Sequence, residues 1–290
     1  MEYVGHIMVI TCLYVVLAIS LELLAGQVGL LSICQAGFYG IGAYTSSLLA
    51  INFGSSFLVG TLAGMLVAAA LSLLVSLPTA RLHDDYFVIA SFGFQIIIFT
   101  TFNNWMNLTR GPLGISGIPQ PHFFGMRVRS YAGFVILAVI FAILSAVTVH
   151  RLTLSPYGRV LRAIREDEAF VQALGKNPLR FKLTAFLVSA ALAAAAGSLY
   201  AHYISYIAPT SFTVLDSILV LSMVIIGGAG SLSGPITGAI LLVLLPEALR
   251  FLGLPSSTSA NLRQVIYGTI LVAIMMVRPR GLFGRYGFGR

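Results

Sequence analysis

The chain has 290 residues, of which 58% are apolar and 9% charged, with a formal net charge of +8. Soluble domains carry roughly 25% charged residues, so a surface of this composition cannot face water over most of its area, and the mean hydropathy of +0.95 agrees. The basic residues sit in loops and toward the C-terminus rather than in an aromatic-interleaved stripe, which excludes nucleic-acid binding and fits loops that anchor a membrane protein.

A hydrocarbon core ~30 Å thick is crossed by about 20 apolar residues at ~1.5 Å rise. Nine such spans are drawn, at 6–25, 28–50, 57–77, 86–105, 132–149, 183–204, 212–226, 231–249 and 262–277. The second and eighth are Gly-rich and open to kinking or re-entry, so the count ranges from eight to ten. The first span has no Lys or Arg before its apolar run and no small-residue cleavage site. It reads as a retained helix rather than a signal peptide. Cys12 and Cys34 fall inside apolar segments and read as packing residues.

Between the fourth and fifth spans, residues 106–131 carry Gly111, Pro112, Gly114, Gly117, Pro119 and Pro121, which predicts an irregular, turn-rich connection. Between the fifth and sixth, residues 151–182 hold Arg151, Arg159, Arg162, Arg165, Lys176, Arg180 and Lys182. After the last span come Arg278, Arg280, Arg285 and Arg290. The positive-inside rule puts both basic regions in the cytoplasm, with four spans between them, and the N-terminus outside.

Ser155-Pro156 opens the 151–182 segment with a cap and a proline suited to a first helical position. Val160, Leu161, Ile164, Phe170, Val171 and Leu174 recur at helical spacing, predicting one amphipathic helix or two short ones. Gly175 follows as a terminator tolerant of positive φ, and Asn177-Pro178 is expected to end helical structure before the next span. Such a helix either lies in the lipid interface or docks in a groove of a soluble partner. The acidic run Glu166, Asp167, Glu168 argues against adhesion to anionic lipid and favours docking.

Later in the chain, the run from Ala190 to Ser198 is almost entirely Ala, Gly and Ser, residue types that let membrane helices approach closely. The segments after Gly29 and Gly228 echo one another weakly. Either an internal repeat or ordinary glycine usage accounts for the echo. The stretch GGAGSLSGP lacks Gly-Lys-Ser/Thr and is no phosphate-binding loop; it reads as a tight reversal between spans. Neither a nucleophile–base pair nor a metal-ligand spacing is present, so the chain is expected to be no enzyme and to hold no cofactor. Ionisable residues at membrane depth are costly and often functional. Glu22, His202, Asp216 and Glu247 are the candidates here, each placed near an interface and within reach of water, as pathway groups or anchors.

The chain resembles the LivM-type permease subunits of branched-chain amino-acid ABC importers. The resemblance rests on an ordered set of motifs: GLLSICQAGFYGIGAYTSSLLA, DDYFVIASFGF, TRGPLGISGIP, SPYGRVLRAIREDEAFVQALGKN, SILVLSMVIIGGAGSLSGPITGAILLVLLPEALR and RPRGLFG. It implies an all-α polytopic bundle, a single permease domain over 1–290 of the type II ABC importer class, with a coupling loop at 151–182. It also implies an inner-membrane location, two ATP-binding subunits that hydrolyse ATP, a second similar permease, a periplasmic or extracellular substrate-binding protein and an amino-acid substrate. The coupling residues map onto Arg162, Arg165, Glu166, Asp167, Glu168 and Gly175. The chain departs from the family pattern at Phe170-Val171, where two small residues usually follow the acidic run. An ion-gradient-driven carrier or channel, and a urea or short-amide ABC permease, are the alternatives. The absence of an Asp/Glu/His relay at mid-span counts against a proton-coupled carrier.

Overall fold

The computed structural model describes residues 2–79, 84–123, 126–127, 130–250, 268–269, 272, 276 and 281–284. Most of the 262–277 span, together with Arg81, Arg129, Arg278, Arg280, Arg285 and Arg290, lies outside the described residues.

Helix α1 (Glu2–Glu22) runs on as a π-helical turn, Leu23–Val28. Gly29 ends it at φ 88°, a left-handed conformation that glycine adopts without a Cβ penalty. Residues 30–34 are non-helical, and α2 (Gln35–Phe53) starts only afterwards. The span drawn from residue 28 is therefore corrected: its first seven residues are the end of a π-turn and a break in the helix. Helix α3 (Phe57–Thr79) and α4 (Asp84–Asn104) follow.

The turn-rich connection folds as a short helix α5 (Met106–Thr109), a 3-10 turn (Gly111–Leu113) and strands β1 (Ile115–Ser116), β2 (His122–Phe123) and β3 (Met126–Arg127). Strands β2 and β3 form an antiparallel pair. Helix α6 (Tyr131–Leu154) leads into α7 (Pro156–Glu166) and α8 (Glu168–Ala173), then α9 (Pro178–Ile204), β4 (Tyr206–Ile207), α10 (Val214–Gly227) and α11 (Ser233–Arg250). Strand β1 pairs antiparallel with β4 through Ile115↔Ile207 and Ser116↔Tyr206, tying the connection to the end of α9.

Among the described residues six helices are long and apolar enough to cross a membrane: Tyr3–Val28, Phe57–Pro78, Tyr86–Asn104, Tyr131–Leu154, Pro178–Ile204 and Pro209–Gly227. Helix α9 is central and packs along α2, α3 and α1. Its small-residue run is what permits this. An ideal Cβ on Gly42 would lie 2.0 Å from Ala194 O, and one on Gly197 would lie 1.8 Å from Tyr39 O, so the α2 and α9 backbones touch. Close packing of this kind associates helices in lipid, where burial of apolar surface gives no advantage. The outer helices α3, α4 and α6 turn Leu62, Leu66, Leu74, Ile89, Ile97, Ile136, Ile143 and Leu144 outward. An apolar exterior of this extent is suited to lipid.

Candidate functional site

At the end of the bundle where α6 stops, α7 and α8 form a two-helix platform against α9 and the π-turn. Ser155 caps α7, its hydroxyl accepting from Gly158 N at 3.4 Å, and Pro156 occupies the first turn, as the sequence predicts. Of the two arrangements the sequence allows, the structure has two short helices, divided at Asp167, whose backbone is extended and whose carboxylate accepts from Phe170 N at 3.0 Å to cap α8. Gly175, at φ 75°, closes α8 with a Schellman pattern: Gly175 N donates to Gln172 O at 2.9 Å and Lys176 N to Val171 O at 3.3 Å.

Asn177-Pro178 begins a helix rather than ending one. The Asn177 side chain accepts from Leu179 N at 3.1 Å and Pro178 opens α9, five residues before the span drawn from 183. The reason is the one that applies at Ser155-Pro156, a side-chain cap followed by a proline whose missing N–H costs nothing in the first turn.

The platform has two faces. Leu161, Ile164 and Val171 are buried against the bundle, and Tyr157 stacks on Phe181 while its hydroxyl donates to Phe181 O at 2.9 Å. Burial pushes the Tyr157 phenol above its usual range. Phe170 and Leu174, which share the apolar periodicity, do not join that core: they are 58% and 62% exposed on the outer face. Beside them an open cleft of about 540 Å³ is lined by Glu168, Gln172, Gly175, Lys176, Asn177, Pro178 and Leu179. Glu168 forms an ion pair with buried Lys182 at 2.7 Å, so it fastens α8 to α9 while bordering the cleft.

The six residues assigned to coupling therefore divide. Glu166, Asp167 and Gly175 are exposed, and Glu168 is partly so. Arg162 and Arg165 turn inward instead. Arg162 donates to Thr153 O at 3.2 Å and to Gln27 Oε1 at 3.5 Å. Arg165, with its side chain 11% exposed, donates to Gly26 O and pairs with Glu166 at 2.9 Å. The end of the π-turn makes this contact possible: Gly26 lies in the last turn before Gly29, where carbonyls lack an intrahelical partner.

The four ionisable candidates are dispersed. Glu22 is 1% exposed and accepts from Gly230 N at 2.8 Å and Gln27 Nε2 at 3.3 Å. His202 is 2% exposed, bonded to Ser198 O at 2.9 Å and edge-on to Phe57. Both are enclosed by protein, which corrects the expectation that they reach water. Asp216 completes a capping box with Thr213 at the start of α10. Glu247 accepts from the Tyr3 hydroxyl, linking α11 to the beginning of α1.

A polar cluster at the broken start of α2 carries no sequence signal beyond scattered Ser and Gln. Ile33 N donates to Ser91 Oγ at 3.0 Å, Ala36 N to Ser217 Oγ at 2.9 Å and Gly37 N to Gln95 Oε1 at 2.7 Å. Two first-turn donors of α2, and the Ile33 donor just before it, are thus met by side chains of α4 and α10, as a buried helix end requires. Gln35, 1% exposed, donates to Ser20 and Ser189.

The model of the family described as "Branched-chain amino acid transport system / permease component" matches residues 3–275. The chain belongs to this permease family. The permease is 36% identical over 296 residues to the high-affinity branched-chain amino acid transport system permease protein LivM of Escherichia coli K12, covering 94% of this chain and 68% of that one. It is 26% identical over 316 residues to the probable LivM of Methanocaldococcus jannaschii, covering 93% and 90%. To the LivH permease of E. coli K12 it is 25% identical over 293 residues, covering 94% and 91%. No solved structure gives a significant match. Family membership and the apolar helices together make the permease a multi-pass membrane protein.

Proposed function

We propose that this permease is one half of the translocation unit of an ATP-driven importer of branched-chain or other hydrophobic amino acids, working by alternating access. It pairs with a second similar permease, rests on two ATP-binding subunits and receives substrate from a periplasmic or extracellular binding protein. The chain is one transmembrane permease domain over 1–290, of the type II class, with about nine spans. The platform and the C-terminus face the cytoplasm, in keeping with the density of Lys and Arg in 151–182 and after the last span.

The observation that carries this reading is the outer face of α7–α8. Phe170 and Leu174 stand exposed beside the cleft at Gly175, and the same short stretch of chain exposes Glu166, Asp167 and Lys176. Exposed large apolar side chains among charged neighbours are the composition of a protein interface, with apolar anchors and polar groups near them. Among the described residues, no helix covers Phe170 or Leu174. The relatives named as components of a branched-chain amino acid transport system support the substrate class.

The test is co-purification. Phe170→Asp and Leu174→Asp alter only the outer face, so the variants are expected to insert normally but to lose the ATP-binding subunits and uptake. Retention of both subunits and of uptake by the double variant would remove the platform from the interface.

A further inference from the structure

The inward face of the platform has a structure of its own. Arg165 bonds the Gly26 carbonyl, and its side chain lies against Gly29, where an ideal Cβ would fall 2.8 Å from Arg165 Cγ. The Glu22 carboxylate covers the other side of the same turn: an ideal Cβ on Gly26 would collide with it at 1.9 Å. Glu22 Oε1 holds the Gly230 amide, while Oε2 is buried with no hydrogen-bond partner among the described residues.

Gly230 belongs to the reversal between α10 and α11. That reversal also holds residues 281–283, through Leu282 N to Ile226 O at 3.0 Å, Phe283 N to Gly227 O at 2.9 Å and Ser231 Oγ to Phe283 O at 2.8 Å. Arg165 and Glu22 therefore straddle Gly26 and join three bodies: the platform, the π-helical end of α1, and the α10–α11 reversal. Three residues beyond Gly26 the helix is broken, and its continuation, α2, is fastened to α4 and α10 by Gln95, Ser91 and Ser217.

We propose that Glu22 and Arg165 are positioning residues for transport, through which displacement of the platform is passed to the break between α1 and α2 and to the α10–α11 reversal. Neither touches substrate or the ATP-binding subunits in this role. It rests on the platform being the motor-facing handle proposed above. The chain of contacts is short and physical: a guanidinium on a π-turn carbonyl, a carboxylate on a loop amide, and a helix start hung from two further helices. Such a chain transmits motion only if its members hold their partners as the platform shifts.

The experiment uses the full complex with its ATP-binding subunits and binding protein in proteoliposomes, measuring subunit co-purification, ATP hydrolysis and amino-acid uptake together. Glu22→Met keeps the side chain's length, removes the acceptor for the Gly230 amide and lies away from the outer face, so co-purification is expected to be unchanged. Uptake per ATP hydrolysed is expected to fall about tenfold, the scale of coupling changes seen along contact networks. Glu22→Gln, which keeps an oxygen acceptor at the same place, is expected to retain more of that ratio than Glu22→Met. A wild-type ratio in Glu22→Met, or loss of co-purification in it, would overturn the proposal. Should Glu22→Met not be recovered from the membrane, Arg165→Lys carries the same test with the same two outcomes, since a lysine cannot hold Gly26 and Glu166 with one fork. If wild-type uptake itself ignores ATP, the importer reading falls. If wild-type uptake follows ATP and the variants keep its ratio, the Glu22–Arg165 linkage alone falls.

Discussion

Gln95 Oε1 accepts the backbone N–H of Gly37 at 2.7 Å, and the same amide donates from Nε2 to Phe212 O at 3.0 Å. One side chain of α4 therefore supports the start of α2 and the approach to α10. Gln95→Leu strands the Gly37 donor and the Phe212 carbonyl in a buried setting and is expected to cost about 3 kcal/mol. Gln35→Leu differs. Ser20 and Ser189 keep their donations to Leu17 O and Ser20 O, so the expected cost is within about 1 kcal/mol. Thermal unfolding of the two variants in detergent, side by side, checks the order. Equal loss would contradict the capping role of Gln95.

The contact between α2 and α9 leaves no room for a methyl group. Gly42→Ala or Gly197→Ala would place a Cβ within 2.0 Å or 1.8 Å of a facing carbonyl oxygen. Forcing the helices apart is expected to cost about 3 kcal/mol or more, visible as lower membrane yield and a lower melting temperature. Gly93→Ala, where no atom lies within 4 Å, is the matched control and should behave as wild type.

Glu168 and Lys182 hold α8 to α9 across a partly exposed pair. Glu168→Gln leaves the buried ammonium without its counter-charge, and a loss of about 1–3 kcal/mol is expected once solvent screening of Glu168 is allowed for. Lys182→Met with Glu168→Gln removes both charges and should recover most of that loss. A double-mutant cycle on thermal stability reads the difference.

Asp167 both caps α8 and sits on the exposed face. Asp167→Asn preserves a capping oxygen and is expected to leave helix stability nearly unchanged, whereas Asp167→Ala is expected to cost about 1 kcal/mol. Hydrogen exchange of the α8 amides separates the two substitutions.

Much of the bundle is legible in the sequence because membrane helices announce themselves by length and apolarity. The spans drawn from 57, 86 and 132 begin within two residues of Phe57–Pro78, Tyr86–Asn104 and Tyr131–Leu154. The Ser155-Pro156 start and the Gly175 stop of the platform also follow from local chemistry, and the small-residue run beginning at Ala190 packs as its composition implies. Glycines mark the 28–50 span as open to kinking, but the place of the break, after Gly29, is not legible. Residues 28–50 have no charge or proline, and what stabilises the broken end is a set of side chains 58 to 181 positions away. The inward turn of Arg165 is hidden for a similar reason. Four residues after buried Leu161, it lies on the bundle-facing side of α7, but only a π-turn 139 positions earlier supplies the carbonyl that receives it. Phe170 and Leu174 mislead in the opposite sense. They recur at near-helical intervals with Leu161, Ile164 and Val171, yet at ~100° per residue Phe170 falls opposite Leu161, and both stand exposed.

The most direct test of the account is amino-acid uptake by proteoliposomes holding the assembled complex and the loaded binding protein, comparing active ATP-binding subunits with catalytically dead ones. Uptake that requires the active subunits and withstands dissipation of ion gradients is the predicted result. Uptake that continues with dead subunits, or that collapses when ion gradients are dissipated while ATP remains, would contradict it.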